Sequence, residues 1–412
     1  MSIRGGIDYV AKQQLRSGGF SSERLSVNAK TIPYRTIFVP SLIALSLQDV
    51  SGAESVKEKI AKFLIKQKSS VWSWNYWDRR SAMAQKLTYP DDLDDTFLAL
   101  AALMRHDPTI LTPTVMAEVT NLLFYTEKKA GGPYRTWLTD APEKIWRDVD
   151  LVVNCNIAYF LSLHDVELPN IVRLVEKSID KNTLSSPYYP SLQPAAYFLS
   201  RWYKGASVAK LEELVLANRH SGIWSDAHST ALNVSTLLRL RYPPSKLKKA
   251  VEYLVNSQAD DGSWSVGPIC NDTMRTGETE VYPTGSSALT TALCIEALTL
   301  YEKMMMTKSS IRVSTKSKTP HYEAVTNQVK KVISGIDELD LKNHTMGVLN
   351  KTIARDADKQ IVMLPWLVGH AAKVSVDENV TRRLAVASLW GWMAYTIYDD
   401  FLDNEGDPKL LP

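Results

Sequence analysis

Four aspartates fall within five positions at Asp91-Asp92-Leu93-Asp94-Asp95, followed by Thr96 and a run of small apolar residues. One or two acids there would serve as helix caps and suit the positive end of a helix dipole. Four exceed that need. Like charges this close repel, and burial opposes ionisation further, so at least one carboxyl is expected to hold its proton to higher pH. A neutral carboxylic acid in a dry, aromatic-lined cavity is the reagent needed to protonate an alkene. A second acidic group, Asp399-Asp400-Phe401-Leu402-Asp403, closes the apolar stretch LAVASLWGWMAYTIYDDFLD. On a helix its three carboxylates share one face. The dipole disfavours acids at a helix C-terminus, so either this is a plain acidic helix end or the cluster holds a cation. Several hard oxygen ligands suit Mg²⁺, which in turn binds diphosphate.

The elements that must position these groups come from a repeat. An amphipathic helix, a turn ending in an aromatic residue, and a second apolar helix recur along the first three hundred residues. The turns are Gly18-Gly19-Phe20, Trp72-Ser73-Trp74, Gly131-Gly132-Pro133-Tyr134, Ser186-Pro187-Tyr188, Gly222-Ile223-Trp224 and Gly262-Ser263-Trp264. The following helices should begin near Thr36, Asp92, Asp148, Ser191, Asp226 and Pro283. Their cores, such as TFLALAAL and LVVNCNIAYFL, are apolar nearly all round, as an inner helix requires. The preceding helices, such as VKEKIAKFLIKQ, have one charged face and read as outer helices. Strand signals are scarce. Six outer-inner pairs predict an all-α (α/α)6 barrel over residues 1–302, with an open solenoid as the other arrangement. One end of such a barrel gathers the N-termini of the inner helices. Residues 303–319, rich in Ser, Thr and Lys, read as a linker, and helical patterning resumes over 320–412.

Asp92-Leu93-Asp94-Asp95-Thr96 resembles the DxDDT signature of class II terpene cyclases, the squalene-hopene cyclases and labdane-type diphosphate synthases. Gln258-Ala-Asp-Asp-Gly262-Ser-Trp264 is similar to their Q-x-x-x-G-x-W repeat, and Gln13 or Gln14 with Gly19-Phe20, and Gln67 with Trp72, look like decayed copies. The resemblance implies that Asp94 is the proton donor, that Asp92 and Asp95 orient it, and that Gln258 and Trp264 are structural clamps. Asp399-Asp400-Phe401-Leu402-Asp403 resembles the first DDxxD motif of class I isoprenoid synthases, with Mg²⁺ as the implied cofactor. By that resemblance residues 320–412 are the N-terminal part of a class I helical bundle, expected to be incomplete, because the second metal-binding motif of that family lies further downstream. Segments typical of chain-elongating enzymes are replaced by Asp358-Lys359-Gln360 and Asn404-Glu405-Gly406-Asp407.

Other residues should face the same end of the barrel. Arg79 and Arg80 offer forked donors to a diphosphate, or are an exposed basic pair. Trp74, Tyr76 and Trp77 either present aromatic faces to a carbocation or simply pack. Asp148, Asp150 and Asn154 open the third inner helix and His228 the fifth, as substrate-facing groups or as caps.

The 412 residues carry a formal net charge of +3, without the basic stripe of a nucleic-acid binder. Three scattered cysteines argue against a disulfide framework or zinc site and suit a reducing cytoplasm. The N-terminus has no apolar h-region, so no signal peptide is expected, and no run reaches the length of a membrane span. The leading expectation is protonation-initiated cyclisation of a linear isoprenoid diphosphate, with a class I prenyl diphosphate-ionising domain behind it. The alternatives are an (α/α)6 glycoside hydrolase, in which paired carboxylates and aromatic platforms serve sugars, and a non-catalytic helical-repeat module. A protein prenyltransferase β-subunit shares the repeat but lacks a convincing zinc ligand set here.

Overall fold

A computed structural model describes residues 3–25, 34–86, 88–272 and 282–314, then 327–331, 333–335, 346, 349, 383, 385–391 and 393. The chain divides into two compact units, Met1–Met306 and Thr307–Pro412.

The first unit is the expected helical barrel. Its outer helices are α1 (Ile3–Gln13), α3 (Glu54–Gln67), α6 (Pro113–Thr126), α8 (Pro169–Asp180), α10 (Val208–Ala217) and α12 (Lys248–Asn256). Its inner helices are α2 (Phe38–Ser46), α5 (Leu93–His106), α7 (Leu151–Ser162), α9 (Leu192–Ser200), α11 (Ala227–Arg239) and α13 (Ser287–Ser314); a short α4 (Ala82–Lys86) lies in one connection. Outer helices bury a stripe, as in α8, where Ile171, Val175 and Ile179 recur every fourth residue. All nine residues of α2 are buried, and so are the first ten of α7. Such helices are stable only inside a ring of neighbours. Accordingly α2 packs on α5, α5 on α7, α7 on α9, and α9 on α11. Arg239 of α11 pairs with Glu296 of α13. Tyr197 of α9 reaches both Ser46 of α2 (3.4 Å) and Glu296 (2.5 Å), so the far end of the ring is tied across its middle.

A hydrogen-bond clamp repeats around the barrel. Trp264 Nε1 donates to Leu254 O of the preceding outer helix (2.7 Å) and its backbone N–H to Thr291 Oγ1 of the following inner helix (3.3 Å). Trp74 does the same with Leu64 O (2.9 Å) and Thr96 Oγ1 (2.9 Å), and Trp224 with Val215 O and Thr230 Oγ1. Gln258 Nε2 closes the turn on Gly262 O (2.9 Å), and Gln14 closes its own on Gly18 O (3.0 Å). Gly262 has φ +89°, and a Cβ there would sit 2.3 Å from Gly5 O. The second copy of the motif is therefore set by Trp74 rather than Trp72. Trp72 occupies the glycine position, with φ +60°.

Two local expectations are corrected. The third inner helix is capped by Asp150, whose carboxylate accepts from the N–H groups of Val152 and Val153, so Asp148 lies in the extended segment before it. The sixth begins at Ser287, because Pro283 belongs to a strand. A small antiparallel sheet, absent from the sequence reading, joins β1 (Glu23–Arg24), β3 (Tyr282–Gly285) and β2 (Cys270–Asp272) in the order β1-β3-β2. α13 runs to Ser314, into the stretch read as a linker, since prolonging an existing helix costs little. In the second unit, Val329, Ile333, Leu349, Ala385, Leu389 and Met393 form a small apolar cluster, with fourth-residue spacing on its helical segments.

Candidate active site

Backbone pairing between successive turns brings the inner-helix N-termini to one end. Asp92 N donates to Trp74 O (3.1 Å), Leu93 N to Thr136 O (2.8 Å), and Thr136 N to Asp148 O (3.0 Å). Asp92 caps α5, its Oδ1 accepting the Asp95 N–H at 2.8 Å. The helix turn then directs Asp94 into a cavity also walled by Phe38, Tyr76, Tyr89, Trp137, Tyr188 and Tyr189. Residues 270–272 of β2 cover part of it. The space is narrow, about 50 Å³, enough for a few waters.

Asp94 is only partly exposed, and what exposure it has faces this cavity. Tyr189 Oη donates to its Oδ2 and Asn156 Nδ2 to its Oδ1, both at 2.6 Å. Burial raises its pKa from 3.8 to about 6, against the lowering effect of those two donors. Asp92 and Asp95 are pushed well above the ordinary carboxylate range, first by burial and then by the neighbouring Asp94 and Asp92 charges respectively. Their outer oxygens, Asp92 Oδ2 and Asp95 Oδ1, are buried without a hydrogen-bond partner. Three carboxyl groups thus share one apolar end wall, where full ionisation is opposed. Asp150, buried under its own helix, is likewise raised to about 6. A neutral carboxylic acid facing aromatic rings can donate a proton to an apolar guest.

Of the other expected site residues, Tyr76 lines the cavity. Trp74 does not, because its indole N–H and backbone are spent on the clamp. Trp77 is fully buried among Tyr34, Tyr76 and Tyr89 behind the wall. Arg79 is tied to Asp91 (3.0 Å) and to Gln67 O (2.8 Å), with its side chain 43% exposed, and Arg80 is exposed; neither lines the cavity. Asn154 belongs to the clamp of the third repeat: its Oδ1 accepts from Tyr134 N (2.8 Å) and its Nδ2 donates to Tyr134 O (3.0 Å). His228 is buried against Thr290 (3.2 Å), and burial lowers its pKa to about 4, which leaves a neutral imidazole away from the cavity wall. Asp148 stands just behind the wall, accepting from Tyr188 Oη (2.7 Å) and Thr136 Oγ1 (3.0 Å). Asp399, Asp400 and Asp403, with the Mg²⁺ they would hold, lie outside the described residues. Among the described residues no group of three His, Cys, Asp or Glu suits a metal ion.

Sequence reading missed Phe38, Tyr89, Trp137, Asn156, Tyr188, Tyr189 and the β2 residues. Only Tyr188 carried a signal, as the aromatic closing the fourth turn.

No protein-family model and no curated protein matches the sequence. Solved structures do match its fold. A protein from Actinoplanes aligns with TM-score 0.55 and 14% identity, over 73% of this chain and 98% of its own. A variant of the type II terpene cyclase MstE from Scytonema, in complex with its substrate geranylgeranyl dihydroxybenzoate, aligns with TM-score 0.53 and 13% identity, over 73% and 97%. An unsaturated glucuronyl hydrolase specific for heparin aligns at TM-score 0.45 and 13% identity, over 74% and 96%. At these identities the first two likenesses show a shared helical-barrel fold and nothing finer. Among the described residues no helix is long and apolar enough to cross a membrane.

Proposed function

We propose that this protein is a class II terpene cyclase in which Asp94 protonates the terminal alkene of a linear polyprenyl substrate. The observation that carries this is the Asp94 carboxyl itself: aimed into an aromatic-walled cavity, raised to about 6, and held by Tyr189 and Asn156. The C=C electron pair takes the proton, and the resulting tertiary cation is attacked by the next double bond to close a ring. Tyr76, Tyr89, Trp137 and Tyr188 line the path with electron-rich faces suited to a cation. Burial makes loss of the Asp94 proton to water unfavourable, and Asp92 caps the helix that carries it. The narrow cavity implies that the turns and strand covering it shift as the chain enters. A likeness in fold to a type II terpene cyclase supports the same reading.

The head group is proposed to be a diphosphate, and residues 320–412 to be part of a class I domain in which Asp399, Asp400 and Asp403 would bind Mg²⁺; the metal would there assist diphosphate ionisation. Loss of Mg²⁺ binding in an Asp399→Asn/Asp403→Asn variant, measured by titration calorimetry, checks that part.

The main test is incubation with C10 to C25 prenyl diphosphates and with geranylgeranyl dihydroxybenzoate, followed by phosphatase treatment and product mass and NMR analysis. Cyclic isomers of unchanged mass with fewer double bonds are expected. Unaltered recovery of every substrate from folded protein rejects the proposal.

A further inference from the structure

Resting on the cyclase reading, we propose that Tyr188, backed by Asp148, is the base that takes the final proton from the cyclised cation. Tyr188 stands in the cavity wall that Asp94 enters, but on a different element, the turn before α9 rather than the start of α5. Its Oη donates to Asp148 Oδ2 at 2.7 Å and accepts from Trp137 Nε1 at 3.0 Å. Thr136 Oγ1 steadies the same carboxylate oxygen at 3.0 Å. The phenolic proton is therefore already directed toward a carboxylate, and a phenol so placed accepts a proton on its oxygen as it releases its own.

The step balances. The C–H bond beside the cationic carbon breaks, and its electron pair becomes the new C=C bond. The proton goes to Tyr188 Oη while the phenolic proton passes to Asp148 Oδ2. Cation and carboxylate become neutral alkene and neutral acid. Asp148 is half-buried, and its other oxygen, Oδ1, is buried without a hydrogen-bond partner.

Three other polar groups of the wall are committed elsewhere, while the buried Tyr76 Oη has no hydrogen-bond partner and so no carboxylate bonded behind it. Tyr189 donates to Asp94, the spent acid. Asp272 is neutralised by Arg24 at 2.9 Å. The Cys270 thiol is hydrogen-bonded with Thr284 at 2.9 Å, and burial pushes it up to about 12. Asp92 and Asp95 flank the acid, and burial pushes both well above the ordinary carboxylate range. Donor and acceptor then sit on different elements of the barrel, the start of α5 and the turn before α9.

The test uses the full chain with geranylgeranyl diphosphate as probe, comparing the unsubstituted protein with Tyr188→Phe and Asp148→Asn. Asp148→Asn keeps an acceptor for the phenol but removes the base, so it serves if Tyr188→Phe folds poorly by near-UV circular dichroism. Both variants should still consume the probe, while the share of the normal cyclic olefin among the products falls by about 100-fold. Hydroxylated or isomeric products, from cation captured by water or deprotonated elsewhere, should replace it. An unchanged olefin in unchanged proportion from either folded variant overturns the assignment and leaves the cyclase reading standing. A hydroxylated product from the unsubstituted protein overturns it too, because water has then taken the cation. No cyclisation by the unsubstituted protein removes both readings.

Discussion

Tyr189 Oη lies 2.6 Å from Asp94 Oδ2, across 95 residues of sequence. The bond joins the turn before α9 to the first turn of α5, so the proton affinity of the candidate acid is set by another repeat of the barrel. Asn156, from the second turn of α7, holds the other oxygen. Both donors stabilise the charged form and oppose burial, which is how a buried carboxyl comes to stand at about 6 rather than far higher.

Replacing Asp94 by Asn should abolish cyclisation, by at least about 1,000-fold, because an amide keeps the shape but has no proton to give an alkene. The fold should survive. At pH 8 the thermal midpoint should be no lower than that of the unsubstituted protein, since the variant no longer carries a buried carboxylate. Product analysis and thermal melts check both parts, and full activity in the variant removes Asp94 from the mechanism.

Activity should fall as pH rises through the Asp94 value. The acid works protonated, so kcat/KM is expected to be level below about pH 6 and to drop about tenfold per pH unit well above it. Stability responds in the same sense. The folded-state value, about 6, lies above the ordinary 3.8, so this group's contribution is complete below 3.8 and is lost as pH rises through 6. A profile whose activity rises between pH 6 and 8 contradicts the assignment of a general acid.

Tyr189→Phe should shift that profile in a defined direction. Removing a donor to the carboxylate raises its proton affinity, so the falling limb should move to higher pH, by about one unit on the scale of one hydrogen bond. Asn156→Leu should move it the same way. A shift to lower pH, measured in kcat/KM, contradicts the roles given to these two residues.

The threonine of the acidic motif should matter for stability. Thr96 accepts the buried Trp74 N–H, so Thr96→Val should cost about 1–3 kcal/mol by leaving that donor unpaired. Gly262→Ala should cost at least about 1 kcal/mol, given its φ of +89° and the Gly5 carbonyl 2.3 Å from the added carbon. Urea melts measure both; a loss confined to activity in Thr96→Val would assign this side chain to chemistry instead.

Much of this was legible in the chain itself, because it depends on neighbours a few residues apart. The apolar faces marked inner and outer helices. Aspartates marked the starts of α5 and α11. The Gln258-Gly262-Trp264 spacing marked a clamp that the structure repeats at Trp74 and Trp224. The grouping of Asp92, Asp94 and Asp95 is likewise local: a cap and the first turn of one helix place them together whatever the rest of the barrel does.

What surrounds those carboxylates was settled by tertiary structure. Residue type and spacing along α5 say nothing of which side chain of α7, or of the turn before α9, will stand opposite Asp94. That follows only when the ring closes and backbone pairs such as Asp92 with Trp74 and Trp137 fix the depth of each helix. The same closure assigned Trp74 and Asn154 to the clamp, Arg79 to Asp91, and His228 to a buried contact with Thr290. It also drew β1, β2 and β3, too short to show periodicity, into a sheet across the mouth. Asp94 holds its proton up to about pH 6 because it is buried, and burial is a property of the assembled ring rather than of any segment in it.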